Sequence, residues 1–128
     1  MKAPRRVRLI CFDVDGTLIE HQEHKTVWQV LNERFLATTQ INRERFAAFK
    51  SGQLAYDDWV ALDVGDWQER GVTREQMVGE IRASLSPVDG AEQTLRELRE
   101  RGYELVVVSG TISLTLELLL DGFRFDQL

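Results

Sequence analysis

Apolar positions along this chain follow two rhythms, and the switches between them lay out its elements. Val7 to Phe12 is a short, mostly apolar run, consistent with a strand buried on both faces, as parallel sheets produce. Periodicity alone does not separate such a run from a buried helix. From about Glu23 to Ser86 the spacing turns helical, with many charges and aromatic anchors. Val27, Val30 and Leu31 repeat as one helix face, and Phe35 extends it. Asn42 is the expected cap of a second helix carrying Phe46 and Phe49, which "SGQ" ends. "AYDDWVALDVGDW" predicts a third, with Tyr56, Trp59, Val60 and Val64. Thr73-Arg74-Glu75-Gln76 has capping-box spacing and opens a fourth through Met77 and Ile81, before "SLSPVDG" breaks the pattern.

A second unit follows. "AEQTLRELRERG" is amphipathic, with Ala91, Leu95 and Leu98 inward and Gly102 at its C-terminal stop. "YELVVVSG" is a β-branched strand ending in Ser109 and Gly110, "TISLTLELLLDG" reads as a buried helix, and "FRFDQL" begins a further strand. The order is β, helical insert, α, β, α. It predicts an α/β core formed by residues 1–20 and 87–128, interrupted by a small helical domain over residues 21–86.

Composition narrows the class. A length of 128 residues suits one domain able to bury a core. With 43% apolar and 29% charged residues the composition is globular. A net charge of −5 argues against a nucleic-acid partner, which calls for a basic face. A membrane partner is not expected either, because no apolar run approaches the ~20 residues of a span. Lys2, Arg5, Arg6 and Arg8 precede an apolar stretch that is too short for a secretion signal and meets Asp13. The Arg5-Arg6-Val7-Arg8 run reads as a solvated entry to the first strand. Cys11 is the single cysteine and is taken as a buried strand residue, so no intrachain disulfide forms and a cytoplasmic setting is expected.

Candidate chemistry sits where the two apolar strands end. "FDVDGT" and "VVVSGT" each run into oxygen-bearing residues and a glycine, and functional groups gather at the carboxyl ends of parallel strands. A carboxylate just past a strand is often only a turn former. Asp-x-Asp-Gly also opens calcium loops, but loop positions 6 and 12, counted from Asp13, hold Leu18 and His24 rather than Gly and Glu. A phosphate-cradling loop needs a Gly-Lys-Ser/Thr ending, which is absent.

"LICFDVDGTL" resembles the first motif of the haloacid dehalogenase-like (HAD) phosphatases, and "LVVVSG" resembles their second. The order and spacing of "SPVDGAEQTLRELRERGYELVVVSG" are similar to the phosphoserine-phosphatase-like branch, which carries a helical cap between these motifs. The resemblance implies a Rossmann-like parallel core with an inserted cap, and a Mg2+-dependent phosphomonoesterase acting on a small phosphorylated metabolite. By position, Asp13 matches the nucleophile that forms an aspartyl-phosphate, and Asp15 the general acid/base. The family's Mg2+ would be held by the Asp13 carboxylate and the Asp15 backbone carbonyl. The same resemblance would place Thr17 near the transferring phosphoryl and make Ser109 the hydroxyl donor to a phosphoryl oxygen, with the Gly110 N–H beside it.

The same resemblance predicts what is absent. The family's lysine and further acidic metal ligands lie well downstream of the second motif, and neither Lys25 nor Lys50 matches that lysine by position. Two confident strands are fewer than the three or so an independent sheet usually needs, and they leave an edge open to self-association. The chain is therefore expected to be the N-terminal part of a larger enzyme, weak or inactive alone. A phosphotransferase or mutase on the same scaffold is the alternative activity; a non-catalytic fragment completed by another chain is the alternative class. Phosphoserine itself is disfavoured, because Asp63 and Gln22 stand where that branch places an arginine and a glutamate. His21 and His24 read as surface or hinge residues, with His21 near the cleft. Trp28, Trp59 and Trp67 read as cap core.

Overall fold

A computed structural model describes residues 8–120 of the chain. The predicted first strand begins at β1 (Leu9–Phe12), Val7 lying outside the described residues, as do "FRFDQL" and the basic residues before Val7. After β1 come β2 (Ile19–His21), α1 (Val27–Leu36), α2 (Gln40–Lys50), α3 (Tyr56–Glu69) and α4 (Arg74–Ser84). They are followed by β3 (Leu85–Pro87), α5 (Ala91–Glu100), β4 (Glu104–Val107) and α6 (Ser113–Leu119). No helix among the described residues is long and apolar enough to cross a membrane.

Strands β1 and β4 pair in parallel, with Ile10 opposite Leu105 and Phe12 opposite Val107. Those four side chains face the core, where Leu105 and Val107 are buried. The other face behaves differently. Leu9 is 46% exposed and Cys11 is also exposed, so β1 is not buried on both faces and Cys11 is not a buried residue. The reason is that alternation was hidden: outward positions of β1 are apolar too, yet the core cluster covers only the inward set.

Between the two halves of this sheet run helices α1 to α4. Val27, Val30 and Leu31 are buried on the predicted face of α1, which packs on α3 and α4. Capping boxes at Thr26–Gln29 and Thr73–Gln76 start α1 and α4, each satisfying two backbone N–H groups that a helix start leaves orphaned. Asn42 does not cap α2. The helix starts at Gln40, whose N–H bonds Thr38 Oγ1 at 3.1 Å, and Asn42 lies inside it, buried. "SLSPVDG" is also more than a break. Leu85–Pro87 pairs antiparallel with Ile19–His21, so the entry and exit of the helical segment are stapled together.

Candidate active site

The last rung of the parallel pair fixes the site. The Val108 N–H bonds the Phe12 carbonyl at 2.9 Å, so the next residues, Asp13 and Ser109, leave the two strands side by side. Val14 is fully buried, and its carbonyl accepts the N–H groups of Thr17, Leu18 and Ile19 at 3.0, 2.9 and 3.1 Å. Gly16 closes this turn with φ +82°, a conformation that L side chains rarely adopt. The Asp13 carboxylate accepts the Val14 N–H through Oδ1 at 2.7 Å, which sets its orientation. On the partner strand, Ser109 Oγ accepts the Thr111 N–H at 3.1 Å.

These groups form the floor of a cavity of about 430 Å³, together with Asp15, Gly110 and Thr111. Its walls come from α1 (Trp28, Gln29), α2 (Asn42, Phe46) and α3 (Tyr56, Trp59, Val60, Asp63), with Thr26 at the start of α1. The fold thus brings Asp13, Asp15, Ser109 and Gly110 together. Thr17 does not join them; it is exposed on the turn, where its N–H is tied back to Val14. His21 also falls outside the lining, because it is paired in β2 and its Nδ1 accepts the Glu23 N–H at 2.9 Å. Of the tryptophans, Trp67 is core, Trp28 stacks on it against the core while also lining the cavity, and Trp59 lines the cavity. Sequence periodicity missed the cavity face of the last two because an aromatic on a helix face looks the same whether it meets core or cleft.

The wall is joined to the floor at Gly110. Its carbonyl accepts the Trp28 indole N–H at 2.7 Å, with the Tyr56 hydroxyl 3.5 Å away. A side chain here would be crowded at once, since a Cβ on Gly110 would stand 2.7 Å from Tyr56 Oη.

Electrostatics bear on Asp15 in particular. Burial pushes the Asp15 carboxyl above its ordinary value, and the Asp13 charge adds to the rise. Thr111 and the Val27 backbone temper it by proximity, yet neither Asp15 Oδ1 nor Thr111 Oγ1 completes a hydrogen bond. Behind the cavity wall Arg45 donates to both Asp63, which lines the cavity, and Asp66, which does not. Burial of that guanidinium opposes its charge, but the two carboxylates outweigh it and hold it protonated. Lys25 is bonded to Glu33 at 2.8 Å, Lys50 lies over the Phe46 ring, and neither lines the cavity.

For a hard cation the donor set has the right chemistry. Asp13 and Asp15 supply carboxylate and carbonyl oxygens, and Asp15 Oδ1 is an orphaned buried acceptor. Mg2+ is commonly held by one or two carboxylates together with waters and a substrate phosphate. No cluster of three or more metal-ligating side chains occurs among the described residues.

Comparison with known proteins follows the same lines. The profile of the haloacid dehalogenase-like hydrolases matches residues 7–127. The phosphoserine phosphatase of Methanocaldococcus jannaschii is 24% identical over 124 residues, covering 95% of this chain and 54% of that protein. A solved phospho-aspartyl intermediate analogue of phosphoserine phosphatase superposes with a TM-score of 0.66 at 23% identity, over 96% of this chain and 55% of that one. The Bacillus subtilis protein YfnB, assigned as a HAD-hydrolase and solved bound to magnesium, gives 0.57 at 19% identity, over 96% and 63%. This chain spans about half the length of the curated relative it matches.

Proposed function

Because the chain belongs to the haloacid dehalogenase-like hydrolases, we propose that it carries the nucleophile half of a Mg2+-dependent phosphomonoesterase acting on a small phosphorylated metabolite. The observation that carries this reading is the convergence of Asp13, Asp15 and Ser109 on one cavity at adjacent parallel strand ends.

In this mechanism Asp13 attacks phosphorus through Oδ2, since Oδ1 is engaged by the Val14 N–H. The Oδ2–P bond forms as the bond from phosphorus to the ester oxygen breaks, giving an aspartyl-phosphate. Asp15 gives its proton to the departing alkoxide. Its raised affinity for that proton, caused by burial, suits it to the acid role. Asp15 then takes a proton from the water that attacks the aspartyl-phosphate, returning Asp13 and releasing phosphate. Ser109 Oγ and the Gly110 N–H hold phosphoryl oxygens across the crevice. The Asp13 carboxylate and the Asp15 carbonyl would hold Mg2+, which when bound would supply charge to offset repulsion between carboxylate and phosphate.

On this reading residues 21–86 form a cap on a core made of residues 1–20 and 87–128. The β2–β3 staple at its base and the Gly110 contacts with Trp28 and Tyr56 support that division. A reducing, cytoplasmic setting accords with the single cysteine. On this reading the open edge of the sheet, two-stranded among the described residues, is the surface for self-association. The test is turnover of a generic phosphomonoester with Mg2+ by the full-length protein, wild type against Asp13→Asn, since the 128-residue chain alone is expected to turn over weakly or not at all. The reading requires loss of turnover in the variant; retained turnover, with deamidation excluded by mass spectrometry, contradicts it.

A further inference from the structure

The Trp28 contact with Gly110 does more than join wall to floor. The Gly110 carbonyl and the Thr111 N–H belong to one peptide unit, and no peptide bond among the described residues is cis. A trans unit points its carbonyl and its N–H in opposite directions. At one end the carbonyl accepts the Trp28 indole N–H at 2.7 Å; at the other the Thr111 N–H donates to Ser109 Oγ at 3.1 Å. The plane is thus tied from both sides, once by α1 and once by the hydroxyl assigned to phosphate.

The local tie is the weaker of the two. A serine hydroxyl bonded to the backbone two residues on is a weak turn, and Gly110 has no Cβ to resist rotation of the unit that follows it. Turned over, the unit would set the Gly110 carbonyl oxygen where the Thr111 N–H now meets Ser109 Oγ. The hydroxyl would then give its proton to that oxygen. In the tied orientation Ser109 Oγ accepts from Thr111 instead, and its proton stays available to a phosphoryl oxygen.

Trp28 is well placed to hold the plane. Its ring stacks on Trp67, centroids 5.5 Å apart and 21° between planes. Trp67 is core, and its own indole N–H is bonded at 2.8 Å to Asn32, which is fully buried. The capping box at Thr26 fixes the turn of α1 that carries Trp28. The Tyr56 hydroxyl, at 3.5 Å from the same carbonyl and on a side chain 46% exposed, is a secondary tie.

We propose that Trp28 is a positioning residue for phosphate recognition. Its indole N–H locks the Gly110–Thr111 peptide and so keeps the Ser109 proton free for the phosphoryl group. This role rests on the phosphatase reading above, and it couples phosphate affinity to the seating of α1 on the loop after β4.

The test is a double-mutant cycle on the full-length protein, with inorganic phosphate as probe and Mg2+ present, read by titration calorimetry. Trp28→Phe keeps an aromatic ring against Trp67 and removes the N–H. It should weaken phosphate about five- to tenfold when Ser109 is present, as one lost hydrogen bond allows. In the Ser109→Ala background the same change should cost less than about twofold, because the hydroxyl it serves is gone. A general loosening would weaken both backgrounds alike. Amide exchange read by NMR without phosphate gives a second measure: Thr111 should exchange at least about fivefold faster in Trp28→Phe while β4 keeps its wild-type rates. If phenylalanine disturbs the stack, benzothienylalanine at position 28 keeps the ring shape with sulfur in place of N–H, and the same pattern is required of it. Equal losses in both Ser109 backgrounds, or Thr111 exchange indifferent to the N–H, in a protein that binds phosphate and hydrolyses phosphomonoesters, would overturn the role of Trp28 and spare the phosphatase reading. Phosphate that fails to bind wild type with Mg2+ present would overturn that reading, and the role of Trp28 with it.

Discussion

Replacing Arg45 by methionine isolates the charge that ties α2 to α3 behind the cavity. Methionine keeps much of the apolar stem and removes only the guanidinium, which donates to Asp63 and Asp66. The two carboxylates will not respond alike. Asp66 is 29% exposed at its side chain and can recruit water, whereas Asp63 is 3% exposed and cannot. Stranding one buried charge costs about 3–5 kcal/mol, and we take about 3 here because the Arg45 site is itself partly reachable by solvent. Unfolding entropy of about 2.1 cal/mol/K per residue over 128 residues amounts to roughly 0.27 kcal/mol/K, so the midpoint should fall by about 11 °C. Thermal melts followed by circular dichroism read this directly. The double variant Arg45→Met with Asp63→Asn should recover most of the loss, since no stranded charge then remains. A single variant that melts within about 3 °C of wild type, or a double variant no better than the single, would refute the reasoning.

Three further outcomes follow from the site. Asp15→Asn should raise stability at neutral pH, because burial penalises the charged carboxyl that wild type carries there. The native state holds that proton longer than the unfolded chain, so the gap should be absent below the ordinary value of 3.8 and complete above the raised folded value; melts across pH that favour wild type at neutrality would contradict this. Gly110→Ala puts a Cβ against Tyr56 Oη, the tip of a half-exposed side chain that can swing aside, so the far-ultraviolet spectrum and the melting midpoint should stay at their wild-type values; a large loss of stability would show that Tyr56 is held rigidly over Gly110. Removal of divalent cations with EDTA should abolish turnover and added Mg2+ restore it; steady-state rates indifferent to both would remove the metal from the account.

Local signals were legible in the sequence and long-range ones were not. Val27, Val30 and Leu31 marked a face by spacing alone, and Thr73 and Gln76 form the capping box that their spacing predicted. The aspartate pair and Ser109 were found because each ends an apolar strand, and parallel pairing then set them side by side. By contrast, Asn42 resembled a helix cap, because a polar residue ahead of an apolar stripe reads as a boundary; its buried partner Asn32 sits on another helix. The β2–β3 pair escaped notice because three-residue strands carry no usable period. Trp28 reaches Gly110 across 82 positions, a contact that no local pattern encodes. Thr17 shows the converse limit: position in a motif named it, but its turn faces solvent.

Covalent phosphorylation of Asp13 is what separates this mechanism from direct attack by water. Mixing the Asp15→Asn variant with an aryl phosphate, quenching in acid and mapping the added phosphoryl group by peptide mass spectrometry reads it. An aryl oxide leaves without a proton donor, so the first step proceeds, whereas hydrolysis of the intermediate lacks its base and the adduct accumulates. One phosphoryl group on the peptide containing Asp13, removed by hydroxylamine, is the expected result. Phosphate on Ser109, or free phosphate released with no adduct at any quench time, would contradict it.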